Sequence, residues 1–182
     1  MNIINKIIKA TKSVSIDYQH LITATKDKIK IQPKKFERVW CYEFYHQLRN
    51  DNCSIFSEVS KQSHKIIIEN FIPDFIIHTP GTMSNNHAVI ELKTTIKYTK
   101  GIVKDFCTLY KMLNEYEYKI GVWILINHDQ NDAKKTLQKI LIKNKNDFTK
   151  NFDVESQFEK IYIITKDNQM NVESIKLKDL LS

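Results

Sequence analysis

Residues 118–127 read YKIGVWILIN, and Lys119 alone breaks the apolar run before Asn127. A strand with one wet face alternates apolar and polar residues. A run without alternation has to be covered on both faces, inside a sheet with helices over it. The flanking sequence supplies the helices. Residues 34–50 (KKFERVWCYEFYHQLRN) follow Pro33 and stop at Asn50-Asp51-Asn52, which predicts a helix. Residues 101–117 carry Ile102, Val103, Phe106, Leu109, Tyr110 and Leu113 on one helical stripe, and 130–145 predict a third helix. Strands are expected at 53–60, 65–78, 88–95 and 159–166, with TPGTMSNN (79–86) as a loop. Pro73 inside the second of these marks an edge or a bulged start. Residues 1–33, with Ile3, Ile4, Ile7 and Ile8 at helical spacing, are expected to be a helical arm that Pro33 closes. Residues 128–182 add a helix-strand extension. The order helix, three strands, helix, strand over about 34–127 predicts an α/β fold, a mixed central sheet flanked by helices, as one domain over 1–182.

Three charges do not belong in this pattern. The segment IPDFIIHTPGTMSNNHAVIELKTT (72–95) places Asp74 beside one apolar strand, and Glu91 and Lys93 within another. Strand cores exclude charge unless it has a partner, a metal or a chemical role. With a period of two, Ile72, Asp74, Ile76 and His78 share a face, as do Val89, Glu91 and Lys93. If the 79–86 loop joins neighbouring strands, Asp74 and Glu91 converge. A solvated strand face would explain Glu91 and Lys93 alone, but it would also have to carry Ile72, Ile76 and Val89. Two convergent carboxylates repel unless a cation lies between them, and Mg²⁺ binds through one or two carboxylates, waters and a substrate phosphate. Lys93 on the same side can orient or deprotonate a water, or stabilise charge growing on a phosphate. On the helix, about 100° per residue puts Glu43 among Phe36, Val39, Trp40 and Gln47, facing inward, with Glu37 on the flank as the weaker candidate.

The composition excludes other chemistries. The chain has no GxGxxG or phosphate loop, and Ser60 and Ser63 lack His or Asp partners at useful spacing. Three cysteines without CxxC spacing argue against a disulfide framework or a zinc site. No apolar run approaches the ~20 residues of a membrane span, and MNIINKIIKATK lacks the unbroken apolar core of a signal peptide. A cytoplasmic protein without a membrane partner is expected. The net charge of +7 favours an anionic partner.

Pro73-Asp74, then Glu91-Leu92-Lys93 after 16 residues, with Glu43 upstream on a helix, resembles the PD-(D/E)xK nuclease superfamily, the restriction-endonuclease-like fold. The likeness covers about 34–127, whose αβββαβ order is similar to that superfamily's core. It implies Asp74, Glu91, Glu43 and the Leu92 carbonyl as metal ligands for Mg²⁺ or Mn²⁺, and Lys93 as the catalytic lysine. It implies phosphodiester hydrolysis, with DNA as the expected nucleic acid. Lys61, Lys65, Lys97, Lys100 and Lys104 flank these residues and are candidate phosphate contacts. The superfamily's QxxxY pattern is missing from the helix 101–117. Two alternatives stay open: a Holliday-junction-type resolvase, which needs a two-fold dimer, and a catalytically inactive nucleic-acid-binding or assembly module on the same fold. A homodimer or a targeting protein is the expected protein partner.

Overall fold

The computed structural model of the chain describes residues 2–19, 21–25, 28–34, 37–50, 54–57, 72–79, 85–144 and 154–182, with only the backbone for 21–34 and 154–155. In chain order the elements are α1 (Ile3–Ser13), α2 (Ile16–Gln19), β1 (Leu21–Thr25), β2 (Lys28–Lys34), α3 (Glu37–Asn50), β3 (Ile55–Ser57), β4 (Phe75–His78), β5 (Asn86–Lys93), α4 (Thr99–Glu115), β6 (Ile120–Ile126), α5 (Gln130–Lys143), α6 (Val154–Phe158), β7 (Ile161–Lys166), β8 (Val172–Lys176) and α7 (Leu177–Leu181). The fold is α/β, with a six-stranded mixed sheet in the order β3-β4-β5-β6-β7-β8. Strands β5, β6 and β7 are parallel, and the outer pairs are antiparallel.

The apolar run becomes β6, which sits between β5 and β7. Its alternate residues enter two different cores. Trp123 and Leu125 join Val89, Ile161 and Ile163 under α4, α5 and α7. Val122, Ile124 and Ile126 join Ala88, Ile90 and Leu92 under α1 and α3. Each fully buried aliphatic side chain contributes about 1.5–3 kcal/mol, so both helical layers are held firmly. Gly121 fits the same scheme, because a Cβ there would lie 3.5 Å from both Leu109 and Leu113 of α4. The expected helices at 34–50, 101–117 and 130–145 are present as α3, α4 and α5, each within a few residues.

The N-terminal expectation needs correction. Helix α1 is not an arm: Ile4, Ile7, Ala10 and Val14 are buried against the sheet with α3. Residues 21–25 and 28–34 are not helical but pair as the antiparallel strands β1 and β2. The alternation in KIKIQ (28–32) is the strand signal there, and Pro33 lies inside β2 rather than ending a helix. It is tolerated because β2 has a neighbour on one side only within its two-stranded sheet. At the far end of β7, Lys166 is fully buried. Its ammonium donates to the carbonyls of Thr11 (2.8 Å) and Lys12 (3.3 Å) and to that of Val14, which are α1's terminal acceptors. Burial pushes the Lys166 pKa down to about 8. Among the described residues, no helix is long and apolar enough to cross a membrane.

Candidate functional site

Strand β4 ends its ladder early. Phe75 pairs with Ile90, and beyond it Pro73 offers β5 no N–H. The chain bends at Asp74, whose Oδ2 accepts the Leu92 N–H at 2.7 Å. A carboxylate thus replaces the missing backbone rung and is pinned to the end of β5. In a strand, a residue's N–H and C=O point to the same side, so the Leu92 carbonyl opens toward Asp74 as well. Glu91 and Lys93 alternate with Leu92 and point to the α4 face, where their partners on β6 are Trp123 and Leu125. Lys93 Nζ lies 3.2 Å from Asp105 Oδ2 of α4, and Trp123 Nε1–H donates to that same oxygen at 3.0 Å. From the other layer Glu37, the first residue of α3, accepts the Thr94 N–H at 3.2 Å.

Four carboxylates therefore surround one lysine at the carboxyl end of β5: Glu37, Asp74, Glu91 and Asp105. Fully ionised, they would outweigh Lys93 by three charges, and the pKa shifts reflect that crowding. Burial first, and then Asp74 and Asp105, hold the Glu91 carboxyl well above the usual carboxylate range, where it is hydrogen-bonded to Asp74. Burial pushes Asp105 up to about 6 against the pull of Lys93 and Trp123. Glu37 is raised by burial and by Asp74. Burial would lower the Lys93 pKa, but Asp105, Asp74, Glu37 and Glu91 together outweigh it, and the net shift is upward.

These shifts fix the sign of a pH effect. A group whose pKa is raised by folding binds its proton more tightly in the fold than in the unfolded chain. Its stabilisation is complete below the unfolded pKa and is lost as pH rises through the folded value. For Asp105 that window runs from its ordinary 3.8 to about 6, and Glu91 acts in the same direction. The metal-free protein is expected to melt at a higher temperature at pH 5 than at pH 7, and added Mn²⁺ is expected to narrow the difference. Scanning fluorimetry across that range would contradict the electrostatics if the melting temperature rose steadily with pH.

The structure brings Asp74, Glu91, Leu92 and Lys93 together, and it does not bring Glu43 to them. Glu43 Oε1 accepts from Gln47 Nε2 at 2.6 Å, and its Oε2 lies 3.5 Å from His46 Nδ1. The buried stripe of α3 is Trp40, Phe44 and Leu48. At about 100° per residue Glu37 falls within 20° of its centre and Glu43 about 100° away. The helix carboxylate of the cluster is therefore Glu37. Asp105 was missed, although its position is informative: three residues after Ile102 and four before Leu109, both buried on α4. His78 packs edge-on against Phe56 with ring centroids 4.8 Å apart, and so has a packing role. Lys97, Lys100 and Lys104 are exposed along the approach to α4 and its first turns. Lys61 and Lys65 lie outside the described residues.

A hard divalent cation suits this donor set. Among the described residues, no three carboxylate, imidazole or thiol groups form a ready cage for an ion. Mg²⁺ does not need one, since it keeps several waters and takes one or two carboxylates. The Asp74–Glu91 pair with the Leu92 carbonyl fits that requirement, and an ion there would offset the repulsion from Asp74 that helps raise the Glu91 pKa. No family model, no curated protein and no solved structure matches this chain.

Proposed function

We infer that the chain is a metal-dependent nuclease of the PD-(D/E)xK type, hydrolysing phosphodiester bonds in DNA. One observation carries the reading: Asp74, Glu91 and Lys93, 19 positions apart in sequence at their limits, meet at one end of the central strands, with the carboxyl groups of Asp74 and Glu91 in hydrogen-bonding contact. Buried acid pairs beside a lysine are costly to a fold that gains nothing chemical from them.

Asp74, Glu91 and the Leu92 carbonyl would hold Mg²⁺ or Mn²⁺, with Glu37 near enough to act through a water. When bound, the ion neutralises phosphate charge and lowers the pKa of water. The other roles belong to the protein's own side chains. The carboxylates around Lys93 favour its charged form, so it serves as a cation beside the reacting phosphate, stabilising the charge that builds there. Asp105 holds that ammonium in place and is itself anchored by the indole of Trp123. Lys97, Lys100 and Lys104 lie where they can take flanking phosphates. The test is cleavage of labelled DNA in Mg²⁺: products with the ion and none in excess EDTA are expected. Equal cleavage in both would remove the metal from the reaction.

A further inference from the structure

The chain has only two arginines among 182 residues, Arg38 and Arg49, and both lie on α3. Between them, on the same helix face, stand Tyr42 and Tyr45. The four positions are spaced i, i+4, i+7 and i+11, within about 60° of one another on a helix, and span about 16 Å. Tyr42 is 66% exposed, unusual for a tyrosine so near a core. Tyr45 stacks on Phe75 with centroids 6.5 Å apart, and the Arg49 guanidinium lies 5.8 Å from the Tyr45 ring centre. A cavity of about 570 Å³ runs beside this face, lined among others by Arg38, Tyr42, Tyr45 and Phe75, with Glu37 and Asp74 also on its wall. The arginine–tyrosine face and the acidic site thus share one cleft.

We propose that this face of α3 is a platform for an unpaired nucleic-acid strand, which it feeds toward Asp74 and Glu91. Tyrosine rings bind bases by stacking, and only an unpaired base offers its face. In a duplex those faces are already stacked on neighbouring bases. Arginine suits both ends of the platform better than the lysine used everywhere else in the chain. Its planar fork grips phosphate in two places and also stacks on rings. The ligand's identity rests on the nuclease reading; the platform's geometry does not.

Fluorescence anisotropy tests this with a labelled oligothymidylate and a blunt duplex of equal length, both in Ca²⁺. The wild type is expected to bind the single strand at least tenfold more tightly. Tyr42→Ala should lower single-strand affinity about tenfold, leave duplex binding unchanged and leave the melting temperature unchanged. Tyr42→Phe, which keeps the ring, should restore binding. Equal affinity for the two probes, or a folded Tyr42→Ala that binds the single strand like wild type, would overturn the proposal. Cleavage in Mg²⁺ is scored separately. A protein that cuts nothing but binds the single strand through Tyr42 loses the nuclease reading and keeps the platform. One that cuts, with single-strand binding indifferent to Tyr42, does the reverse.

Discussion

Lys93→Ala is expected to slow Mg²⁺-dependent DNA cleavage about a thousandfold in a protein that stays folded. Removing one preorganised charge from the reacting centre of an enzyme costs about 10²–10³ in rate. The proposed site concentrates more than usual on this residue, because Lys93 is the cation at the centre of four carboxylates. Without it, a phosphate entering the site meets only acids and whatever ion they hold. The fold should tolerate the change. Lys93 keeps 22% of its side chain exposed, and the Asp105 it abandons still accepts from Trp123. Asp105 can also take up a proton, its pKa already being raised to about 6. Lys93→Arg should recover part of the rate, since it keeps the charge but not the shape. A folded Lys93→Ala protein cutting within tenfold of wild type would remove the lysine from the mechanism.

Lys166→Ala is expected to destabilise the fold by about 3 kcal/mol, the largest stability effect anticipated outside the apolar core. Two effects compete. Burying the ammonium is costly, and its pKa, lowered to about 8, indicates about 3 kcal/mol against folding at neutral pH. Removing the side chain gives that back. It also leaves the buried carbonyls of Thr11 and Val14 without their donor, at about 1–3 kcal/mol for each unsatisfied group, while the part-buried carbonyl of Lys12 can turn to water. It further deletes three methylenes, worth about 0.8 kcal/mol apiece. The losses outweigh the gain. Lys166→Met, which keeps most of the apolar stem, should recover part of the loss. Urea unfolding of the three proteins measures it, and an Ala variant as stable as wild type would show that α1 does not depend on this cap.

Much of the central fold is legible because its elements need opposite patterns. Unbroken apolar sequence at 118–127 requires a strand covered twice, and 101–117 shows a clean stripe of period 3.6. The N-terminal 33 residues mislead because short helices and a strand pair follow one another, and the strong Ile3–Ile8 spacing speaks for the first helix alone. Lys166 is illegible for another reason: a lysine ending an apolar strand looks solvated until the end of α1 is known to lie above it. In the site, Asp74, Glu91 and Lys93 stand out as charge in apolar strands. Glu37 and Glu43 are separated only by the true centre of the α3 stripe, which Trp40, Phe44 and Leu48 define. Asp105 needed the same helical reasoning applied to α4. The Arg38–Tyr42–Tyr45–Arg49 face was present in the sequence as a helical repeat, but its meaning depends on the cleft that α3 shares with β4.

The central claim is that Asp74 and Glu91 form a divalent-cation site. Calorimetric titration of Mn²⁺ into the wild type and Asp74→Ala, both verified as folded, tests it without requiring a substrate. Saturable Mn²⁺ binding by the wild type that Asp74→Ala loses is the predicted result. A variant that binds Mn²⁺ as tightly as the wild type would place the ion elsewhere and contradict the claim.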